Sequence, residues 1–520
     1  MKKDTQMKKY LLLLTIFLQF SISYAQTPIT FQKTYGIGIG KCVQQTTDKG
    51  FILLGYSEGS TTIISLIKTD SIGVIEWSKS YASGSDELRA YSIQQTNDGG
   101  YIITGNIVYS PVSIEDIILL KTTSNGTLQW KKYFNFTSIE YGFSVQQTID
   151  GGFIITGVGY TDLVLIKTAA DGTMQWAKTI AGTSGQEGKS VKQTSDGGFI
   201  ITGFTTSFGA GSFDVYLVKT DSIGTLQWTK TFGGTNDDFG NSIQLTLDGG
   251  YIIAGTTRSY GAGIGDVYII KTTSNGTLQW TKTFGGTLNE EGYSVQQTSD
   301  FGFIISGLTR SFGTGSDDIY LVKTDSNGTM QWTKTFGGLD AEAGYSVAQT
   351  HDGGYVINGN SYSSFATFST DIYFIKTDSN GNSGCNETSP TSIEGSGGTE
   401  GFGGTEDSGG TTGNLFVQTN FGSAANTLCT TVGLKEISEE NLISIFPNPF
   451  STMATLQTEK KLKGALLTIF NSHGKQVNRI KNINGQTITI TRDNLAAGLY
   501  FLRLSQGSKI IATEKLIITD

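Results

Sequence analysis

Carboxylates are the residues best placed to do chemistry in this chain, and they recur in step. Glu140, Asp238, Glu290 and Glu342 each stand four residues before a serine, namely Ser144, Ser242, Ser294 and Ser346. Before Ser190 the place holds Gln186, with Glu187 beside it, and two earlier copies carry Gly38 and Leu88 there. Clustered acids raise the local negative potential and can hold a cation such as Ca2+ or a basic partner. Two acids at a suitable separation are also the machinery of glycoside hydrolysis. The competing reading is structural, each acid capping its own turn or bonding the neighbouring copy. A second set pairs Lys68, Lys121, Lys167, Lys219, Lys271, Lys323 and Lys376 with an Asp five residues earlier in six of the seven. A pattern this regular serves the repeat, with Asp satisfying turn amides and Lys burying its stem.

Other motifs lose their chemistry to context. The only histidines are His351 and His473, which argues against a multi-histidine metal centre. Asp221-Ser-Ile-Gly224 and Asp325-Ser-Asn-Gly328 look like fragments of a calcium loop but lack its remaining ligands. Gly55-Tyr-Ser-Glu-Gly59 spells Gly-x-Ser-x-Gly, yet it joins two strands instead of leading into a helix. Glycine-rich pieces such as Gly209-Ala-Gly211 also lead into strands, so a phosphate loop fails on context. Cys42 stands where other copies have Ser92, Ser144 or Ser294 and reads as a small buried residue. No cofactor is expected.

These residues are positioned by a repeat. Asp-x-Gly-aromatic recurs from Asp48 to Asp352, with successive copies 46 to 52 residues apart. Each copy reads as four short strands rich in β-branched and aromatic residues, joined by glycine turns, and no segment keeps a helical period. Four antiparallel strands per copy make a propeller blade. The fourth strand carries tryptophan in six copies: Trp77, Trp130, Trp176, Trp228, Trp280 and Trp332. The seventh copy stops after Lys376 without one. Its missing strand lies at the other end of the chain, where Ile29–Gly36 parallels Leu278–Gly285, with Phe31 in the tryptophan place. The fold class expected is therefore all-β: a seven-bladed β-propeller closed by an N-terminal strand, followed by a small Ig-like sandwich. If the first strand of each blade is innermost, the acids crowd one rim of the central channel. Lys219–Trp228 is similar to the tryptophan-docking pattern of quinoprotein-like propellers. Those have eight blades and adjacent cysteines that this chain lacks, so their cofactor is not carried over.

The flanks speak of export. Residues 1–25 read as a signal peptide, with Lys8 and Lys9, an apolar run from Tyr10 to Phe20 and a Ser23-Tyr24-Ala25 cleavage site. The propeller then spans 26–384. Residues 385–440 form a Gly/Ser/Thr-rich stretch read as a flexible linker, bracketed by Cys385 and Cys429, a disulfide candidate in an exported protein. Residues 441–520 alternate as strands. They carry Pro447-Asn448-Pro449, Leu467–Asn471, Leu495-Ala-Ala-Gly498-Leu-Tyr500-Phe and Lys515-Leu-Ile-Ile518. This stretch resembles the type A C-terminal sorting domain of the type IX secretion system of Bacteroidetes. The resemblance implies an Ig-like sandwich, handling by that machinery, and delivery through the periplasm and outer membrane to the cell surface or medium. Asp70-Ser71-Ile72 and Asp221-Ser222-Ile223 look like the acceptor pattern of O-glycosylation in the same phylum, which would modify Ser71 and Ser222.

The net charge of −8 argues against nucleic-acid binding. No segment of the mature chain reads as a transmembrane helix, and a monomer is expected. Together these features read as a surface binding or adhesion module for a glycan or protein. A secreted carbohydrate-active enzyme using acidic residues, and a purely structural surface protein, stay open as alternatives.

Overall fold

The structure is a computed structural model. It describes residues 29–519 apart from short internal segments, the longest at 363–369 and 432–442. The signal segment 1–25 and Glu58-Gly59 of the Gly-x-Ser-x-Gly run lie outside the described residues. The chain divides into two units, Pro28–Val432 and a C-terminal unit beginning at Gly433.

The first unit is a seven-bladed propeller. In the fifth blade the strands run Asp238–Leu245, Tyr251–Thr257, Asp266–Thr272 and Leu278–Gly285, innermost to outer. The second and third strands are buried at every position, because each blade is packed between two others. The fourth strand is buried only in part.

The closing strand, Thr30–Ile37, pairs antiparallel with Asp371–Thr377 and completes the seventh blade. Phe31 faces Lys376 there, as Trp280 faces Lys271 in the fifth blade. Each tryptophan docks on the following blade. A Cβ on Gly328 would come within 2.7 Å of Trp280, and one on Gly73 within 2.8 Å of Phe31. Gly328 has φ +79°, so its turn demands glycine twice over. Trp280 also packs on Phe303, the aromatic of the next blade's Asp-x-Gly-aromatic turn, with ring centroids 6.0 Å apart.

The stretch after residue 384 is not a free linker. Its described residues form seven short strands, each added antiparallel to the outer edge of one blade. They visit the sixth blade first, at Glu387–Thr388, then the fifth, fourth, third, second and first, and finally the seventh at Ala425–Thr431. Glu394, Glu400, Glu406, Thr412 and Gln418 occupy the same register, opposite Phe284, Phe232, Ile180, Phe134 and Tyr81. The segment is thus a repeat of period six, one turn of chain per blade. Its composition cannot build a core, but an edge strand needs only backbone N–H and C=O groups. Side chains help where they are described: Gly397 N–H donates to Thr281 Oγ1 at 3.0 Å, and Tyr268 Oη to Gly397 O at 2.8 Å. Lys282 forms an ion pair with Glu394. Cys385 is disulfide-bonded and Cys42 is free, so the chain's remaining cysteine is Cys429, whose backbone pairs with Gln32.

The C-terminal unit is β-rich. Met453–Asn471 is its long central strand. Its first half pairs with Ile443–Phe446 and the second half with Gly498–Gln506, while Gln476–Thr491 runs along both. The register breaks between Gln457 and Leu467, which lets one strand serve two layers. Leu456 and Ile490 from one half and Leu467, Ile469, Leu502 and Leu504 from the other close on one core.

Candidate functional site

The recurring Ser, Lys and Asp residues prove to be fastenings. Ser294 Oγ accepts the Val347 amide of the next blade at 3.3 Å, and Ser346 Oγ accepts that of Val43 at 3.2 Å, closing the ring at its centre. Each third-strand lysine forms an ion pair with the turn Asp of its own blade, as Lys271 does with Asp248 at 2.9 Å and Lys121 with Asp98 at 2.8 Å. These lysines are buried, and their remaining protons go to a backbone carbonyl and, in six of the seven, to a neighbouring polar side chain.

The acids expected on the channel rim are not on it. Glu140, Asp238 and Glu290 are 0% exposed and Glu342 1%. Glu290 accepts the Gly286 amide at 2.7 Å, the Thr309 hydroxyl at 2.8 Å and the Ser311 amide at 3.0 Å. Asp238 takes Gly234 N–H and the Ser259 hydroxyl, and Glu342 takes Gly338 N–H and the Ser361 hydroxyl, all between 2.7 and 2.9 Å. Asp238, Glu290 and Glu342 therefore cap their own turns and hold their own blades' second-to-third-strand loops. Strand alternation explains the placement: Asp238, Gly240 and Ile243 point between blades, while Phe239, Asn241 and Gln244 are partly exposed on the other face. Glu187 differs, being half-exposed and paired with Lys189.

Asp238, Glu290 and Glu342 each meet the third-strand Asp of the preceding blade. A Cβ on Gly285 would stand 2.2 Å from Asp266 Oδ1 and 2.5 Å from Glu290 Oε2. Burial pushes the Asp266 and Asp318 carboxyls up, the negative charges of Glu290 and Glu342 add to it, and Asp318 reaches about 6. Among the described residues no group of three or more His, Cys, Asp or Glu is placed to hold a metal ion. A carboxylate pair flanked by N–H and O–H donors is capping chemistry, whereas Ca2+ takes about six to eight oxygens.

What lines the channel mouth is a different set of residues, those one and three places before the recurring serine. One place before stand Lys41, Tyr91, Phe143, Lys189, Asn241, Tyr293 and Tyr345. They touch in sequence round the ring. Lys41 Nζ lies 3.7 Å over the Tyr345 ring, which packs on Tyr293 at 5.0 Å. Lys189 Nζ lies 3.7 Å over Phe143, which packs on Tyr91 at 5.4 Å, and Tyr91 on Tyr56 at 6.2 Å. Phe204 links Lys189 to Phe239, and Asn241 Nδ2 donates to Gly292 O at 2.8 Å. Three places before the serine, Glu291 receives the Tyr293 hydroxyl at 2.6 Å and the Asn289 amide at 2.9 Å. Tyr141 donates to Glu115 at 3.0 Å; burial first, then this bond, push its phenol up to about 12. Burial, with the charge of Glu291, lifts Tyr293 well above the ordinary phenol range. The mouth thus offers neutral phenol and phenyl faces interleaved with two ammonium groups. The sequence carries a signal for it: these are the places where an otherwise regular repeat changes residue type from copy to copy.

The sorting-motif residues meet in the second unit. Asn448 Oδ1 accepts the Ile517 amide at 2.8 Å, Phe450 N–H donates to Ile517 O at 3.0 Å, and Thr519 N–H to Phe450 O at 2.9 Å. The opening Pro447-Asn448-Pro449, itself exposed, is so stitched to the closing strand. Tyr500 is buried and donates to Ala496 O at 2.9 Å, Gly498 opens its strand, and the Lys515 backbone pairs with Phe501. Ser222 is exposed and Ser71 half-buried, each in a turn whose amides bond the preceding Asp.

Residues 444–519 match the family described as secretion system C-terminal sorting domain. The chain is therefore an all-β propeller protein bearing a type IX sorting domain, exported to the cell surface or medium. No helix among the described residues is long and apolar enough to cross a membrane. No curated protein sequence matches the chain. Among solved structures it is similar to a protein of unknown function from Dyadobacter fermentans DSM 18053, with 11% identity, TM-score 0.35 and coverage of 68% of this chain and 95% of that one. It is also similar to YCF48 bound to D1 peptide, with 10% identity, TM-score 0.39 and coverage of 69% and 99%. An α-L-arabinofuranosidase from Fusarium graminearum gives 10% identity, TM-score 0.32 and coverage of 68% and 94%.

Proposed function

We propose that the mature protein is a binding module displayed or released at the cell surface, with its ligand seated at the channel mouth. The observation that carries this reading is the ring of aromatic faces and ammonium groups built from the irregular positions of a regular repeat. Ligand sites are characteristically concave and aromatic, with a few placed polar groups, and recognition sits on variable positions of a rigid scaffold. A glycan or a protein loop with an acidic group fits these surfaces. The acid pairs with raised carboxyls lie sealed between blades, and Glu187 and Glu291 at the mouth are each held by neighbours, so binding is preferred over acid-catalysed cleavage. Ser222, exposed at its turn, and Ser71 are proposed glycosylation sites.

The test is a glycan and polysaccharide array probed with the mature chain and scored for both binding and cleavage. Binding lost in a Lys41→Ala, Tyr293→Ala, Tyr345→Ala triple variant that unfolds at the parental temperature supports the reading. Cleavage abolished by a single carboxylate substitution would replace it with the enzymatic one.

A further inference from the structure

Below the mouth, the first strands carry a second ring two places after the recurring serine. It holds Gln44, Gln94, Gln146, Gln244 and Gln296, with Lys192 in the fourth blade and Ala348 in the seventh. The carbonyl ends of four of these glutamines are occupied. Oε1 of Gln44, Gln94, Gln146 and Gln296 accepts the amides of Gln95, Gln147, Gln193 and Gln349 in the next blades, at 2.7, 2.5, 2.7 and 2.6 Å. Their Nε2 groups have no acceptor among the described residues, so each glutamine presents a donor to the channel.

Lys192 lies on the same partly exposed face, alternating with the fully buried Val191. Unlike Lys189 and Lys41 at the mouth, it has no ion pair, ring contact or hydrogen bond among the described residues. A cation between the blades of Gln146 and Gln244, with the Gln146 carbonyl already taken by the Gln193 amide and its Nε2 left to donate, is a site for negative charge. Burial lowers the pKa of Lys192, a cost that an anion beside it would offset.

We propose that the channel binds a small oxyanion at Lys192, held by its ammonium and by the flanking glutamine amides. Phosphate and carboxylate share the required chemistry, so the anion is either free or the acidic group of a ligand entering from the mouth.

The test is calorimetric titration and thermal unfolding of the mature chain with inorganic phosphate and, separately, with acetate at constant ionic strength. Lys192→Gln installs the residue that five other blades carry, so it preserves the fold. Phosphate should bind and raise the midpoint of unfolding in the parent. Lys192→Gln should lose about tenfold or more in affinity, as charge-assisted bonds of this kind warrant, while Lys192→Arg keeps most of it. A response to acetate as well assigns the site to carboxylate-bearing ligands, and a response to phosphate alone to the free anion. Equal phosphate binding by parent and Lys192→Gln, or none by the parent with either anion, would overturn the proposal. The mouth triple variant should still bind phosphate, so the two sites fail or stand separately.

Discussion

Phe31 lies opposite Lys376 in the register that Trp280 holds opposite Lys271, although 345 residues separate the first pair and nine the second. The ring is thus closed by a strand that substitutes phenylalanine for the docking tryptophan. Its neighbours deepen the closure: Tyr35 Oη donates to Gly73 O at 2.6 Å and Lys33 Nζ to Ile72 O and Gly73 O at 2.9 Å.

Phe31→Ala should cost about 3–5 kcal/mol, the range for emptying a buried phenylalanine site. Deleting residues 26–36 should lower the melting temperature of the whole propeller. Calorimetry on both proteins checks this, and a deletion that melts like the parent would count against closure.

Stability should pass through a maximum at mildly acidic pH. Burial pushes Asp98, Asp150, Asp196 and Asp248 up, but hydrogen bonds from the partner lysine, a threonine and a glycine amide outweigh it and hold them at about 2. Unfolded carboxyls titrate near about 4. Stability from these pairs is therefore complete above that value and lost as pH falls towards 2. Asp318 and Asp371 go the other way, raised by burial to about 6. Their folded state favours the proton, so they detract from stability above pH 6 and are relieved as pH falls towards 4. Melting temperature should rise from pH 7 to 5 and fall below 4. Asp318→Asn should flatten the upper limb, and a steady decline from pH 7 downward would contradict the assignment.

The outer strand segment should matter to solubility as much as to stability. A chain ending at Gly384 leaves seven unpaired blade edges, which template association; one ending at Val432 keeps them covered. Light scattering of the two truncations should show concentration-dependent association only in the shorter. Two equally monomeric products would mean the segment contributes little.

Truncation after Glu440 should leave the folded propeller in the periplasm, because the sorting domain is removed whole. Cell fractionation decides it, and undiminished surface display would contradict the role of Ile443–Ile518.

The repeat, the four strands per blade and the closure were legible because burial between blades demands apolar strands, and docking demands one large ring per copy. The expected rim of acids fails on strand alternation. Asp238 shares its face with Gly240 and Ile243, which go between blades, so its neighbour Phe239 faces the channel. Between Gly240 and Ser242 the pairing also shifts register, which changes the facing of the later residues in the strand. The strands after residue 384 escaped because edge pairing is a backbone interaction that leaves no apolar signature. Their only trace is the six-residue recurrence of Glu394, Glu400 and Glu406.

The first and last strands of the propeller unit are neighbours: Thr30 pairs with Thr431 in the seventh blade. Ile37, at the far end of the closing strand, pairs with Asp371, on the side where third strands start and first strands begin. Thr30 and Thr431 therefore lie at the end remote from Tyr345 and Lys41. A force drawing the two ends of the propeller unit apart therefore acts first on the Thr30–Thr431 rung of a single blade edge, before it reaches the ring.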